Sequence, residues 1–235
     1  NRIDNFLINL DGSKYKKNLG GNTTIAVSMA AIKLAALSHK EPLWKYLNYN
    51  SDNLLPLPQV QIIGGGAHAK GSLSLQDFLI IPNGANSFYT AIEWIFKVYM
   101  LAGNELEKRK LLRGVADEGG YWPAFSSNIE VFDFLTEIIS KAGFEPLKEI
   151  SIAIDVAANN FKIRNKYNLF NNEYLSGDDL ISIYLKWINK YPIISIEDPF
   201  AEDDILLFQK LKKRLPSYIQ IVGDDLVVTN SKMIN

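Results

Sequence analysis

The second half of the chain repeats one pattern three times. "ISIAIDVAA", "YPIISIEDP" and "YIQIVGDD" are short, almost continuous apolar runs. Between the first two, Leu180, Ile183, Tyr184, Trp187 and Ile188 recur at helical spacing, and residues 203–214 predict a second helix. Apolar strands alternating with amphipathic helices predict βαβ units and a parallel sheet. Each run ends on an acid: Asp155, Glu197 and Asp224. In a parallel α/β barrel the strand C-termini converge on one face, where active sites sit. Three carboxylates brought there unpaired repel one another, and their pKa values rise. A hard divalent cation relieves the repulsion, and all-oxygen ligation suits Mg²⁺. One acid after a strand is commonly a helix cap or turn residue. Three in successive units, two of them in Glu-Asp or Asp-Asp doublets, favour a ligand set. Strand alternation sends Asp224 and Asp225 to different sides, and Asp224 is the preferred ligand.

The first half reads differently. Residues 22–40 predict a helix with Asn22 as its N-cap, apolar on several faces and therefore expected to be buried. "SDNLLPLP", residues 51–58, is a Pro-rich break and the best boundary. "QVQIIGG" and "SLQDFLIIP" are strands that form a hairpin around "GGGAHAKG". Two helices follow, one carrying Phe88, Ile92, Ile95, Phe96 and Tyr99 on a face, the other Val131, Leu135, Ile138 and Ile139. "GVADEGGYWPAF" reads as a loop between them.

These segments supply three further candidates. Glu118 becomes a general acid if burial or neighbouring carboxylates raise its pKa; otherwise it belongs to an acidic surface turn. Asp77 interrupts an apolar strand, so it either faces outward or needs a partner or a job. His68 alone reads as a turn histidine. Between two strands at the mouth of a carboxylate-lined barrel it becomes a candidate lid residue. "GGGAHAKG" lacks the spacing and the Lys-Ser/Thr of a P-loop.

Composition removes several classes. A net charge of -1 argues against a nucleic-acid binder that relies on a broad basic surface. There is no cysteine, so disulfides and thiolate metal sites are excluded. No apolar run approaches the roughly 20 residues of a membrane span. The opening "NRIDNFLINLDG" lacks the regions of a signal peptide, and a cytoplasmic location is expected.

"GGGAHA", "LQDF", "ADEGGY.P", "AIDVAA", "SIEDPF" and "VGDDLVVTN", in this order, resemble enolase, the phosphopyruvate hydratase family of glycolysis. The resemblance starts near Asp11, in "LDGSKYKKNLGGN", and runs to the end. It implies an α/β fold: the C-terminal part of an α+β capping domain over residues 1–52, then the first part of a modified (β/α)8 barrel, beginning ββαα, over residues 53–235. It implies Mg²⁺ held by Asp155, Glu197 and Asp224. By the same resemblance Glu118 is the acid that helps a hydroxyl leave, Asp77 its carboxylate partner, and Gln76 an active-site glutamine. Glu197 also contacts substrate, and His68 belongs to a mobile loop that closes over it. The implied reaction is dehydration of 2-phosphoglycerate to phosphoenolpyruvate, in a homodimer or larger homo-oligomer.

The pattern also departs from the family. Glycine stands at 64 where the family has asparagine, and aspartate at 77 where it has glutamate. One methylene less shortens reach by roughly 1.3–1.5 Å, enough to matter in a catalytic constellation. Asn159 and Asn160 replace Ser-Glu, and Trp122 and Ala124 replace an alanine and an asparagine. These changes gather around the site and bring in a second reading, an enolase-like synthase acting on a phosphonate analogue, similar to the carboxyphosphonoenolpyruvate synthases. Further alternatives are a non-catalytic, enolase-derived binding protein and an unrelated barrel hydrolase using Asp/Glu pairs. The family's base, a lysine, is expected on a barrel strand beyond residue 235, and most of the capping domain before residue 1.

Overall fold

Capping and periodicity set the helices. The computed structural model describes residues 2–48, 54–66, 73–170 and 173–234, which form two units, residues 1–55 and 56–235. The first unit is helical, with α1 (Arg2–Asp11), α2 (Gly21–Ser38) and α3 (Leu43–Leu47). Asn22 does not cap α2. The cap is Gly20, whose φ of 83° suits glycine, and Asn22 lies inside the first turn. Nor is α2 buried: Ile25, Val27, Met29, Leu34 and Leu37 are exposed and only Ala36 is buried. Two short helices of its own unit cannot cover a helix that is apolar on several sides. Asp11 ties the α1–α2 connection by accepting the backbone N–H groups of Ser13, Asn18 and Leu19 at 3.0, 3.0 and 2.7 Å.

The second unit opens with the expected hairpin, β1 (Val60–Gly64) and β2 (Asp77–Ile81), paired antiparallel. Helix α4 (Phe88–Lys108) starts where Ser87 accepts the Thr90 N–H at 3.0 Å. "GVADEGGYWPAF" is not a plain loop. It forms a second, short hairpin, β3 (Leu112–Val115) and β4 (Tyr121–Pro123), and β4 joins β1 in parallel. Helix α5 (Asn128–Lys141), capped by Ser127, leads to β5 (Ser151–Asp155). A small antiparallel sheet follows, β6 (Lys162–Ile163), β7 (Lys166–Phe170) and β8 (Glu173–Leu175). Then come α6 (Gly177–Lys190), with a Ser176–Asp179 capping box, and β9 (Ile193–Glu197). Last are α7 (Ile205–Arg214), β10 (Gln220–Val222) and α8 (Ser231–Ile234).

The main sheet runs β10-β9-β5-β2-β1-β4-β3, with β5, β9 and β10 parallel. Among the described residues it is open, with β10 and β3 at its edges. Ile152, Ala153 and Ile154 are all buried, so both faces of β5 are covered, as a parallel strand requires. Phe132 of α5 fastens the helices to the sheet by edge or tilted ring contacts with Phe78, Trp187 and Tyr191. Burying such a ring stabilises the fold by roughly 1.5–3 kcal/mol.

Candidate active site

Strand register places the acids. Gly64 faces Asp77 across the β1–β2 pair, Asp77 faces Asp155 across β2–β5, and Asp155 faces Glu197 across β5–β9. Residues directly opposite on neighbouring strands project to the same side. Asp77, Asp155 and Glu197 therefore form a row at one level and on one face of the sheet. The row continues to Val222 of β10, and Asp224 lies two residues further on.

Burial and neighbouring carboxylates raise Asp155 and Glu197. Desolvation first, then the Glu197 charge, push Asp155 up to about 8, against the pull of the Ala157 N–H, which donates to its Oδ1 at 2.9 Å. Glu197 is pushed up to about 7 by burial, then by the charges of Asp198, Asp224, Asp77 and Glu118. Among the described residues no ion pair joins a lysine or arginine to Asp155, Glu197 or Asp198. Asp155, Glu197 and Asp198 each bring a carboxylate oxygen within 4.8 Å of the others, a set able to hold a metal ion. The donors are all oxygen, which fits Mg²⁺.

Asp198 enters this cluster where the sequence pointed to Asp224. It does so because its backbone takes a left-handed φ of 39°, turning its side chain back towards the mouth. Its carboxylate then accepts the N–H groups of Asp225 at 2.7 Å and of Asp224 at 3.1 Å. Burial raises its pKa while these donors oppose the rise. Asp198 thus holds the loop after β10 as well as adding negative charge. Asp224 stands close enough for its charge to act on Glu197.

The remaining candidates fall as follows. Gln76 donates from Nε2 to Asp155 Oδ2 at 3.0 Å and accepts from Asn160 Nδ2 at 3.3 Å. Asp77 is buried and accepts from Gln61 Nε2. Glu118 sits in the β3–β4 turn and is exposed, so its surroundings are those of the mouth's charges rather than of burial. That turn is tied on one side by Tyr99, whose hydroxyl donates to the Gly119 carbonyl at 2.8 Å. His68 lies outside the described residues. Gln61 and Asp198 escaped the sequence reading. A polar residue at alternate spacing inside "QVQIIGG" was the available signal for Gln61; none existed for the left-handed turn at Asp198.

A family model for the enolase C-terminal TIM barrel domain matches residues 52–235, and one for the enolase N-terminal domain matches residues 1–47. The chain belongs to the enolase family. Curated enolases agree: that of Ehrlichia chaffeensis is 42% identical over 233 residues, 99% of this chain and 55% of the relative. The Pelagibacter ubique enolase is 44% identical over 229 residues, 97% of this chain and 54% of its own length. That of Anaplasma phagocytophilum is 42% identical over 232 residues, 99% of this chain and 54% of its own length. The chain thus spans about half the length of the curated enolases it matches. Its open sheet with parallel β5, β9 and β10 is the enolase-type α/β arrangement, without a closed barrel among the described residues. The described residues contain no helix long and apolar enough to cross a membrane.

Proposed function

We propose that this chain carries part of a Mg²⁺-dependent site that dehydrates 2-phospho-D-glycerate to phosphoenolpyruvate, a carbon–oxygen lyase reaction of glycolysis. The observation that carries the proposal is the row of Asp77, Asp155 and Glu197 at one level of the sheet, with the pKa values of Asp155 and Glu197 raised by burial and by neighbouring carboxylates. Asp155, Glu197 and Asp224 would hold Mg²⁺, with Asp198 orienting the loop that bears Asp224. Bound there, Mg²⁺ would offset the negative charge that develops on the substrate carboxylate.

The chain's own side chains have separate tasks. Once the C2 proton has been removed by a base, the electron pair left on C2 forms the carbon–carbon double bond as Glu118 delivers a proton to the departing C3 hydroxyl, which leaves as water. Asp77 is its carboxylate partner on the sheet. Gln76 fixes Asp155 by its hydrogen bond, and Gln76, Glu197 and His68 bind substrate. No proton-abstracting base is assigned among residues 1–235. The substrate is a small phosphorylated carboxylic acid, and the protein works in the cytoplasm as a homodimer or larger homo-oligomer. Residues 1–52 belong to the capping domain and 53–235 to the barrel.

Asp77, Asn160 and Trp122 stand where the family pattern differs, and they favour a second reading, an enolase-like synthase acting on a phosphonate analogue. One assay separates the two. The intact gene product is given 2-phosphoglycerate and Mg²⁺, and ultraviolet absorbance of the enol product is followed. A rise that chelator abolishes supports the first reading. No rise, with Mg²⁺ binding intact, overturns it and leaves the phosphonate reading.

A further inference from the structure

Gln61 links two parts of the proposed site that are far apart in the chain. Its Nε2 donates to Asp77 Oδ1, and its Oε1 accepts the Gly120 N–H at 2.6 Å. Gln61 is 6% exposed and Asp77 3%. A carboxamide is polar in opposite senses at its two ends, so only one orientation satisfies both neighbours. The flipped amide would set its carbonyl against the carboxylate and its NH₂ against the Gly120 N–H. Buried donors and acceptors left facing like groups are costly, so this orientation is strongly held.

The backbone is shaped for the contact. The β1–β2 register shifts between Gln61 and Ile63, an irregularity of the kind that re-aims a side chain. On the other side, a Cβ at Gly120 would lie 2.5 Å from Gln61 Oε1 and 2.8 Å from its Cδ. Only glycine leaves room for the carboxamide there. Gly120 is two residues from Glu118, in the same tight turn, where the Ala116 N–H donates to the Gly120 carbonyl at 2.7 Å.

We propose that Gln61 is a positioning residue that joins the Asp77 carboxylate to the turn bearing Glu118, so that the acid and its partner hold one mutual geometry. This rests on the roles given above to Glu118 and Asp77. A misplacement of about 1 Å in such a pair can cost about 100-fold in rate. Gln61 touches neither substrate nor metal in this scheme, so its loss falls on kcat rather than KM.

The test uses the intact gene product with 2-phosphoglycerate and Mg²⁺, circular dichroism being recorded for each variant. Activity of the unmutated protein checks the functional reading by itself; the variants, compared with it, check Gln61. Gln61→Leu is expected to lower kcat by about 100-fold with KM changed by less than about threefold. Gln61→Asn and Asp77→Glu each alter the span of the hydrogen bond by one methylene in opposite senses. The double variant Gln61→Asn/Asp77→Glu restores the span to Asp77 but not the contact with Gly120, and is expected to exceed the product of the two single effects by about threefold or more. Strictly multiplicative losses in this cycle, or a folded Gln61→Leu within about threefold of the parent kcat, overturn the proposal. If Gln61→Leu fails to fold, the cycle alone decides.

Discussion

The carboxylate row and the outer faces of α4 and α5 both gather acids, with opposite results. On the helices, Glu137 is held down at about 2, first by its hydrogen bond from Arg109 and then by Lys141. Glu105 is likewise lowered, chiefly by Lys141, which it meets at 3.1 Å. In the sheet the same chemical group is raised, to about 8 at Asp155 and about 7 at Glu197, chiefly by burial. The difference lies in what each cluster contains. The helix cluster carries its own cations, exposed and alternating in sign. In the sheet, no ion pair among the described residues joins a lysine or arginine to Asp155 or Glu197, and neighbouring carboxylates raise them instead.

The contrast is broken most severely by removing a proposed ligand. Asp155→Asn is expected to abolish measurable Mg²⁺ binding by calorimetry and to reduce dehydration by on the order of 10³-fold, several kcal/mol of lost charge stabilisation. Retained metal binding would show that the row is not the metal's seat. Removing the donor that fixes that ligand should do less. Gln76→Met deletes the 3.0 Å hydrogen bond to Asp155 and should weaken Mg²⁺ affinity by roughly tenfold, measured in the same titration.

The two clusters should also respond to pH with opposite signs. Acids raised in the folded state bind protons more tightly there than in the unfolded chain. In metal-free protein Asp155 and Glu197 therefore favour folding below their ordinary range near pH 4, and that contribution is lost as pH rises through about 7 to 8. Saturating Mg²⁺ should remove most of the decline, seen as a gain of about 5 °C in Tm at pH 8. Glu137 works the other way: its contribution is present above its unfolded value and is lost as pH falls through about 2. A metal-free melting temperature that climbs steadily from pH 5 to 8 would contradict this account of the sheet. The smallest effect should come from Glu137→Gln. Its partners are solvent-exposed, so urea unfolding should show a loss of at most about 1 kcal/mol, with Mg²⁺ affinity unchanged.

Much of this was readable beforehand, for local reasons. β5 and β9 are five-residue apolar strands that declare themselves, and β10, only three residues long, was legible from the apolar run around it and the acids that follow. Helices α4, α5 and α6 carry strong apolar faces and serine caps. The β3–β4 hairpin was hidden because its strands are four and three residues long and flank a glycine turn, too short for alternation to register. In the β6–β8 sheet, β6 and β8 are only two and three residues long, and five-residue β7 is polar enough ("KYNLF") to carry no apolar run. Helix α2 misled because composition reports how apolar a segment is, not whether a neighbour covers it.

The sequence by itself determined the alternation of strand and helix, the acids at the strand ends, and membership of the enolase family. Tertiary structure decided which groups meet. Register, which depends on pairing between strands, put Asp77, Asp155 and Glu197 in one row. A left-handed backbone at Asp198 turned a neighbour of the expected ligand into the anchor of the loop after β10. A slip in the β1–β2 pairing aimed Gln61 at Asp77 and Gly120 together. None of these is a local property, because each is set by where a second, distant strand or loop has come to rest.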